Sequence, residues 1–209
     1  MTQRKKQVIL ALDTSGQSVS VAVLDAAGDV LGWAEQPMDR GQGEALMAMI
    51  QQVLAAARKK PADLTGIAAA VGPGSFTGVR IGLAAARGLG LALGVPVYGA
   101  TNCEAAAFGL MQPVAVVLDT KRGDYYAQLF DKAGQPAGAA GVKTTRQLER
   151  LLPRAVVGDG AERLRREIGC AVLDRAVPSA VAVGRIALGR LDRPLPPDPV
   201  YLREADVIC

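Results

Sequence analysis

Two short polar segments, each led by an aspartate, are candidates for chemistry in this chain. They are Asp13, Thr14, Ser15 and Gly16 and, much later in the chain, Asp119 and Thr120. The hydroxyls of the first segment could hydrogen-bond a phosphate, although Asp-Thr-Ser-Gly is also an ordinary polar turn after a strand. Each aspartate ends an apolar run that predicts a buried strand. The repeat indicates an internal duplication, with Asp13 and Asp119 facing each other across a cleft between two similar halves.

Other kinds of chemistry are limited because the 209-residue chain contains no histidine. This absence rules out a Ser-His-Asp triad, a Cys-His pair and a metal held by histidine. The three cysteines, Cys103, Cys170 and Cys209, are far apart and form no CxxC motif. We therefore expect free thiols in a reducing cytosol.

A glycine-rich turn, Gly72–Gly78, joins a predicted strand to a predicted helix that runs to Leu93. Ser75 or Thr77 can cap this helix, and such a corner can hold an anion. The glycine spacing does not fit the dinucleotide fingerprint, and the Gly-Lys-Ser/Thr of a nucleotide P-loop is missing from it.

Small residues form one stripe along this helix. At 100° per residue, Gly78, Gly82, Ala85 and Ala92 fall together, with Leu89 among them. Glycine costs a helix about 1 kcal/mol relative to alanine, so close packing is expected to compensate. The stripe faces either the protein's own sheet or a partner's helix. Arg80 and Arg87 lie on the opposite side and face solvent, a cleft or a partner.

The elements that must position these residues follow from the hydrophobic pattern. Strands are expected at 8–12, 18–24, 30–35, 66–71, 95–98, 114–118, 125–130 and 155–157, and helices at 43–59, 76–93, 144–152 and 179–191. The first three strands and two crossovers predict a mixed five-stranded sheet in residues 1–100. Residues 101–178 form a reduced second half, the helix within 179–193 packs back on the first half, and 194–209 form an extended tail.

The charge pattern gives little sign of a nucleic-acid surface. The formal net charge is +4. The basic clusters at residues 4–6 and at Arg163, Arg165 and Arg166 have no interleaved aromatic residues, so we expect solvated faces. The apolar run 8–12 is too short for a signal peptide, and we expect no membrane span of about 20 apolar residues. These features favour a cytoplasmic protein.

The segment Gly72-Pro-Gly-Ser-Phe-Thr-Gly-Val-Arg-Ile-Gly82 closely resembles the signature of the TsaB (YeaZ) family, bacterial proteins needed for the threonylcarbamoyladenosine modification of tRNA. The resemblance covers residues 9 to about 108 and returns at Pro199–Arg203. The order of elements resembles half of the α/β actin-like ATPase (ASKHA, ribonuclease H-like) fold, which normally has two halves around a nucleotide cleft. The resemblance implies this fold with a reduced second half.

The resemblance also bears on cofactors. Actin-like enzymes keep carboxylates that organise Mg²⁺ and phosphate at the places of Asp13 and Asp119, so Asp13, Thr14, Ser15 and Asp119 are the candidate nucleotide site. It implies at most weak or vestigial ATP or ADP binding. The catalytic relative TsaD binds a metal through a His-x-x-x-His pair, which falls here on Asn102 and Ala106. Glu104 alone does not make a metal site. Family members often carry histidine where Gln42 stands, so these departures disfavour catalysis.

The resemblance implies a non-catalytic partner of TsaD that supports threonylcarbamoyl transfer to N6 of adenosine 37 in tRNAs reading ANN codons. The resemblance implies TsaE as a third component and contact with tRNA through the complex. It also implies that the isolated chain forms a homodimer. The family's partner surface is formed by its first two helices. The expected interface residues are Leu46, Ile50, Gly78, Arg80, Ile81, Gly82, Ala85 and Leu89.

Two other functions stay open. A sugar-kinase-type phosphotransferase needs a general base and a full nucleotide cleft, for which the chain is short. An M22-type peptidase is disfavoured because the chain has no histidine and no second metal ligand.

Overall fold

The computed structural model describes residues 7–38, 40–151, 154–176 and 179–203. The basic cluster at residues 4–6 and Cys209 lie outside the described residues. The strands are β1 Val8–Asp13, β2 Ser18–Asp25, β3 Val30–Pro37, β4 Gly66–Ala70, β5 Val97–Ala100, β6 Val114–Asp119, β7 Tyr125–Phe130, β8 Gly141–Lys143, β9 Ala155–Val157 and β10 Ala171–Val172. The helices are α1 Gln42–Ala56, α2 Phe76–Leu93, α3 Asn102–Ala107, α4 Thr145–Leu151, α5 Ala161–Ile168 and α6 Ser179–Gly189, with a 3-10 turn at Pro61–Asp63.

The first half is the predicted mixed five-stranded sheet, with the strand order β3-β2-β1-β4-β5. β1, β2 and β3 pair antiparallel, whereas β4 and β5 run parallel to β1. Alternate residues of β1 face two apolar layers: Leu10 and Leu12 pack with α1 and α2, and Ile9 and Ala11 pack with α6. Because both faces are covered, β1 is apolar throughout until Asp13.

The second half repeats this arrangement in shorter form, with the order β10-β9-β6-β7-β8. β6, β7 and β8 pair antiparallel, and β9 and β10 are parallel to β6. β6 therefore corresponds to β1, and Asp119 ends β6 as Asp13 ends β1. The same strand order in both sheets agrees with the duplication inferred from the repeated Asp-Thr pattern. The short strands β8 and β10 and the short helix α3 were missing from the sequence prediction.

Helix ends are set by local backbone chemistry. α2 has the predicted bounds because the Ser75 hydroxyl accepts a bond from the Gly78 N–H at 3.2 Å and Gly94 ends the helix at φ +66°. α1 ends at Ala56, before the predicted Lys59. There Arg58 adopts φ +53°, and the Lys59 N–H bonds to the Leu54 carbonyl, which is a Schellman ending without glycine.

α2 is long and apolar enough, by length and composition, to cross a membrane, contrary to the expectation that no segment is. The packing of α2 gives another explanation for this apolar character. Val79, Leu83 and Ala86 are buried in the first-half core, and Arg80 and Arg87 project from the other side. The apolar character of α2 is therefore that of a helix packed on its own sheet.

Candidate site between the two halves

A cavity of about 490 Å³ lies between the two halves. Its walls come from the turn after β1, the glycine-rich turn before α2, the turn after β6 and the C-terminal segment. The residues most relevant to chemistry are Ser15, Gly74, Asn102, Asp119, Thr120 and Lys121. Ser15 and Asp119 thus lie at the same cavity, on different halves.

Asp13 does not line this cavity, which corrects the expectation that it faces Asp119 across the cleft. Its side chain is buried, with 7% exposure. Oδ1 accepts bonds from the Ser15 N–H at 2.8 Å and from the Ser15 hydroxyl, and Oδ2 accepts from the Ser179 hydroxyl. Both oxygens are therefore engaged by neutral donors of the protein itself.

Thr14 is also buried and does not line the cavity. Its hydroxyl donates to the Gly78 carbonyl at 2.6 Å, so this donor is already used within the fold. The Ser15 hydroxyl donates to Asp13 and accepts a bond from the Asn102 amide. The turn after β1 is consequently held rigidly by its neighbours, as the interpretation of an ordinary polar turn requires.

Asp119 is held in a different way, by a cation. Its Oδ1 accepts from the Lys121 N–H and from Arg163 Nη1, both at 2.8 Å. The Arg163 guanidinium lies 4.0 Å from the centre of the Tyr125 ring and donates to the Asp124 carbonyl at 2.8 Å. Arg163 was expected on a solvated face, and this is corrected: it is half-buried and neutralises the carboxylate.

The glycine stripe of α2 packs on the protein's own turn. A Cβ on Gly82 would lie 2.7 Å from Thr14 Oγ1, and one on Gly78 would overlap the Thr14 carbonyl. The expectation that Gly78 and Gly82 meet a partner's helix is therefore wrong. Leu46 and Ile50 are likewise buried in the core and unavailable to a partner.

The other expected interface residues are more accessible. Ile81, Ala85 and Leu89 are half-buried against the first-half core, and Arg80 is exposed. Arg80 stacks on the Phe76 ring, with 3.7 Å from its guanidinium carbon to the ring centre. Arg80 therefore lies on an aromatic surface at the start of α2.

The two positions compared above with the His-x-x-x-His pair carry structural roles. Asn102 is buried; its Oδ1 accepts from the Gly72 N–H at 2.9 Å. Ala106 is buried in the core.

Burial raises the pKa of Glu104, but hydrogen bonds from Arg190 and Thr101 outweigh it, so the pKa is lowered. The Gln42 amide bonds to the Met38 carbonyl. Within the described residues, no group of three Cys, Asp or Glu side chains is arranged to hold a metal.

Cys103 and Cys170 are free thiols. Burial, and to a smaller extent the charge of Glu104, raises the pKa of Cys103 to about 12. Burial also raises the pKa of Cys170. Because the thiolate is the reactive form, these two cysteines are poor nucleophiles.

Solved structures identify the class of protein to which this architecture belongs. YeaZ from Pseudomonas aeruginosa has a TM-score of 0.75 at 24% identity, over 94% of this chain and 100% of that chain. The activator of the 2-hydroxyisocaproyl-CoA dehydratase from Clostridium difficile, solved with bound ADPNP, has a TM-score of 0.56 at 8% identity, over 89% and 96%. The protein therefore has the actin-like ATPase fold, as predicted.

The sequence comparisons identify the family. The model described as TsaD, tRNA N6-adenosine threonylcarbamoyltransferase, matches residues 38–172, and the chain belongs to this family. An uncharacterized protein from Mycobacterium tuberculosis is 28% identical over 207 residues, 99% of this chain and 96% of that protein. The tRNA threonylcarbamoyladenosine biosynthesis protein TsaB of Escherichia coli is 32% identical over 123 residues, 56% of this chain and 52% of that protein. The match thus spans about half of that TsaB, and the resemblance to TsaB is confirmed.

Proposed function

We propose that this chain is a non-catalytic partner of TsaD in threonylcarbamoyladenosine biosynthesis. It would support transfer of the threonylcarbamoyl group to N6 of adenosine 37 in tRNAs that read ANN codons, in the cytoplasm and with TsaE as a third component. Membership of the family and the likeness to TsaB support the pathway. The observation that carries the non-catalytic role is that both strand-end aspartates are already occupied by the protein's own donors.

The contacts of the two strand-end aspartates argue against nucleotide chemistry. Asp13 is sealed beneath the cavity, and Asp119 is paired with Arg163, so neither is free to organise Mg²⁺. The cavity has room for a ligand beside Ser15 and Lys121. We therefore expect any ATP or ADP binding to be weak and without turnover. Tight binding of a magnesium nucleotide with turnover would instead favour the phosphotransferase alternative.

The proposed partner surface is the exposed side of α1 and α2. Met47 on α1 is 46% exposed, and Leu91 on α2 is 88% exposed. Gly88 and Ala84 are exposed on the same side of α2 as Leu91, one and two turns away, respectively. Arg87 is also exposed on this side, one turn before Leu91, so the surface combines large apolar side chains, small residues and a charge, as protein interfaces commonly do. In the absence of TsaD, the same surface would form the homodimer.

Leu91→Glu tests this surface. Placing a charge in an apolar interface is expected to weaken co-elution with TsaD from the same organism by roughly 30-fold or more, the effect of a hot-spot residue. The melting temperature should stay unchanged because the side chain is exposed.

The matched control is Met111→Glu, which changes an 85% exposed apolar residue near the start of β6. It should alter neither co-elution nor melting. Normal co-elution of Leu91→Glu would show that the surface is wrong. Wild-type protein that never co-elutes with TsaD, with or without nucleotide, would refute the proposed function itself.

A further inference from the structure

The C-terminal segment 195–203, which we call the strap, lies in a seat built into the first half. The Gly99 N–H donates to the Leu195 carbonyl at 2.8 Å, and the Val200 N–H donates to the Val71 carbonyl at 2.7 Å. A Cβ on Gly72 would lie 2.8 Å from the Val200 carbonyl oxygen, and one on Gly99 would overlap the Pro196 carbonyl. These two glycines leave the space that the strap backbone fills.

The two arginines on the outer side of α2 also hold the strap. Arg87 donates to the Pro197 carbonyl at 2.6 Å and pairs with Asp198 at 2.7 Å. Arg80 Nε donates to the Tyr201 hydroxyl at 3.1 Å, and the Tyr201 ring lies 5.0 Å from the Phe76 ring. All these contacts join the strap to the first half.

The end of the strap reaches the second half. Arg203 forms an ion pair with Asp124 in the turn before β7, where the side chains are only 27% and 18% exposed. The Asp124 carboxylate also accepts a bond from the Thr120 hydroxyl. This hydroxyl and, to a smaller extent, Arg203 lower the pKa of Asp124. Charge-assisted bonds are stronger when water is partly excluded, so this pair outweighs the exposed Arg87–Asp198 pair.

We propose that the strap is a clamp across the cleft: anchored along the first half, it holds the second half closed through Arg203 and Asp124. The main chain passes between the halves through α3 and again before α6, and the strap adds a non-covalent tie beside the cavity. Val200, Tyr201 and Arg203 line that cavity. Release of Arg203 therefore opens the cavity to larger ligands. The inference does not depend on the proposed partnership with TsaD.

Electron-spin distance measurements test the clamp in the full chain. Spin labels would be placed at Gln51 on α1 and Gln147 on α4, both exposed, with the native cysteines replaced by alanine. Arg203→Ala should broaden the distribution and shift it to longer distances. Hydrogen exchange at the Val200 N–H should rise about tenfold, as expected for loss of one charge-assisted bond. The Gly99 N–H, at the other end of the strap, should keep its protection.

Two further variants make the outcome decisive. Arg87→Ala removes a strap contact within the first half, so it should leave the distance distribution unchanged. Combining Arg203→Asp with Asp124→Arg reverses the pair and should move the distribution back toward wild type. An unchanged distribution in Arg203→Ala, or no recovery in the reversed pair, would overturn the clamp. Thermal unfolding of each variant identifies any loss of fold. If Arg203→Ala is unfolded, the distance distribution of the reversed pair decides whether the clamp exists.

Discussion

The two halves of the molecule share one strand order but hold their strand-end aspartates in different ways. In the first half, Asp13 is sealed among the hydroxyl and amide donors of Ser15 and Ser179. In the second half, Asp119 stays at the cavity and is neutralised by Arg163. Duplication has therefore preserved the backbone arrangement, while the two carboxylates reach electrostatic balance by separate routes.

One helix position accounts for much of this difference. The third residue of α2 is Gly78, and the third residue of α5 is Arg163. Glycine lets α2 approach the turn after β1 so closely that Thr14 bonds to the Gly78 carbonyl. The long arginine on α5 reaches back across the Tyr125 ring to Asp119. In the first half, the close approach of α2 closes the site beside Asp13. In the second half, the Arg163 side chain fills the space beside Asp119.

The largest effect is expected where the first half is packed most tightly. Gly82→Leu should destabilise the isolated protein by ~3 kcal/mol or more, because the side chain would be forced into Thr14. Weaker co-elution with TsaD should follow only from this loss of fold. Urea unfolding of the isolated variant measures the effect.

The control lies on the same helix. A Cβ on Gly88 would meet open space, so Gly88→Leu should keep or slightly raise the stability, by up to ~1 kcal/mol. Equal stability of the two variants would show that α2 does not approach Thr14 as closely as described.

The second prediction compares the two aspartates directly. Asp13→Ala leaves three buried donor groups without an acceptor and should cost ~2–3 kcal/mol. Asp119→Ala releases a half-buried arginine that keeps its contacts with Tyr125 and Asp124, so it should cost ~1 kcal/mol. Urea unfolding of both variants tests the order, and a larger loss for Asp119→Ala would reverse the comparison.

The sequence predicted most of the first half because several local signals agree there. For α2, the 3.6-residue period, the Ser75 cap and Gly94 all indicate the same bounds. α1 stops at Ala56 because Arg58, two residues later, adopts a left-handed conformation for which the sequence has no glycine signal. α3 does carry a detectable signal, because Thr101 and Glu104 form a capping box.

The site was harder to predict because its contacts join residues far apart in the sequence. Ser179 bonds to Asp13 from the start of α6, and Thr14 meets Gly78 from another element. The stripe of small residues correctly indicated close packing on α2, but periodicity alone does not distinguish an internal neighbour from a partner. The role of Arg163 on α5 was missed because the ring beneath it belongs to Tyr125 on β7, which is distant in the sequence.

The smallest effect is expected at the seam between the halves, where Glu104 on α3 pairs with Arg190 after α6. The pKa of Glu104 is lowered on folding, so its ionised form stabilises the protein above the unfolded pKa of about 4.3. This contribution is lost as the pH falls through the lower folded pKa. Glu104→Gln should therefore cost ~1 kcal/mol at pH 7, and the two proteins should converge in strong acid.

Urea unfolding at neutral pH and at successively lower pH measures this convergence. Glu149 on α4 is exposed, and Glu149→Gln should give little difference from wild type at any of these pH values. A difference for Glu104→Gln that persists undiminished in acid would mean that packing of the side chain, not its charge, stabilises the seam. A charged link between the halves would then remain at the cavity, where Arg203 pairs with Asp124.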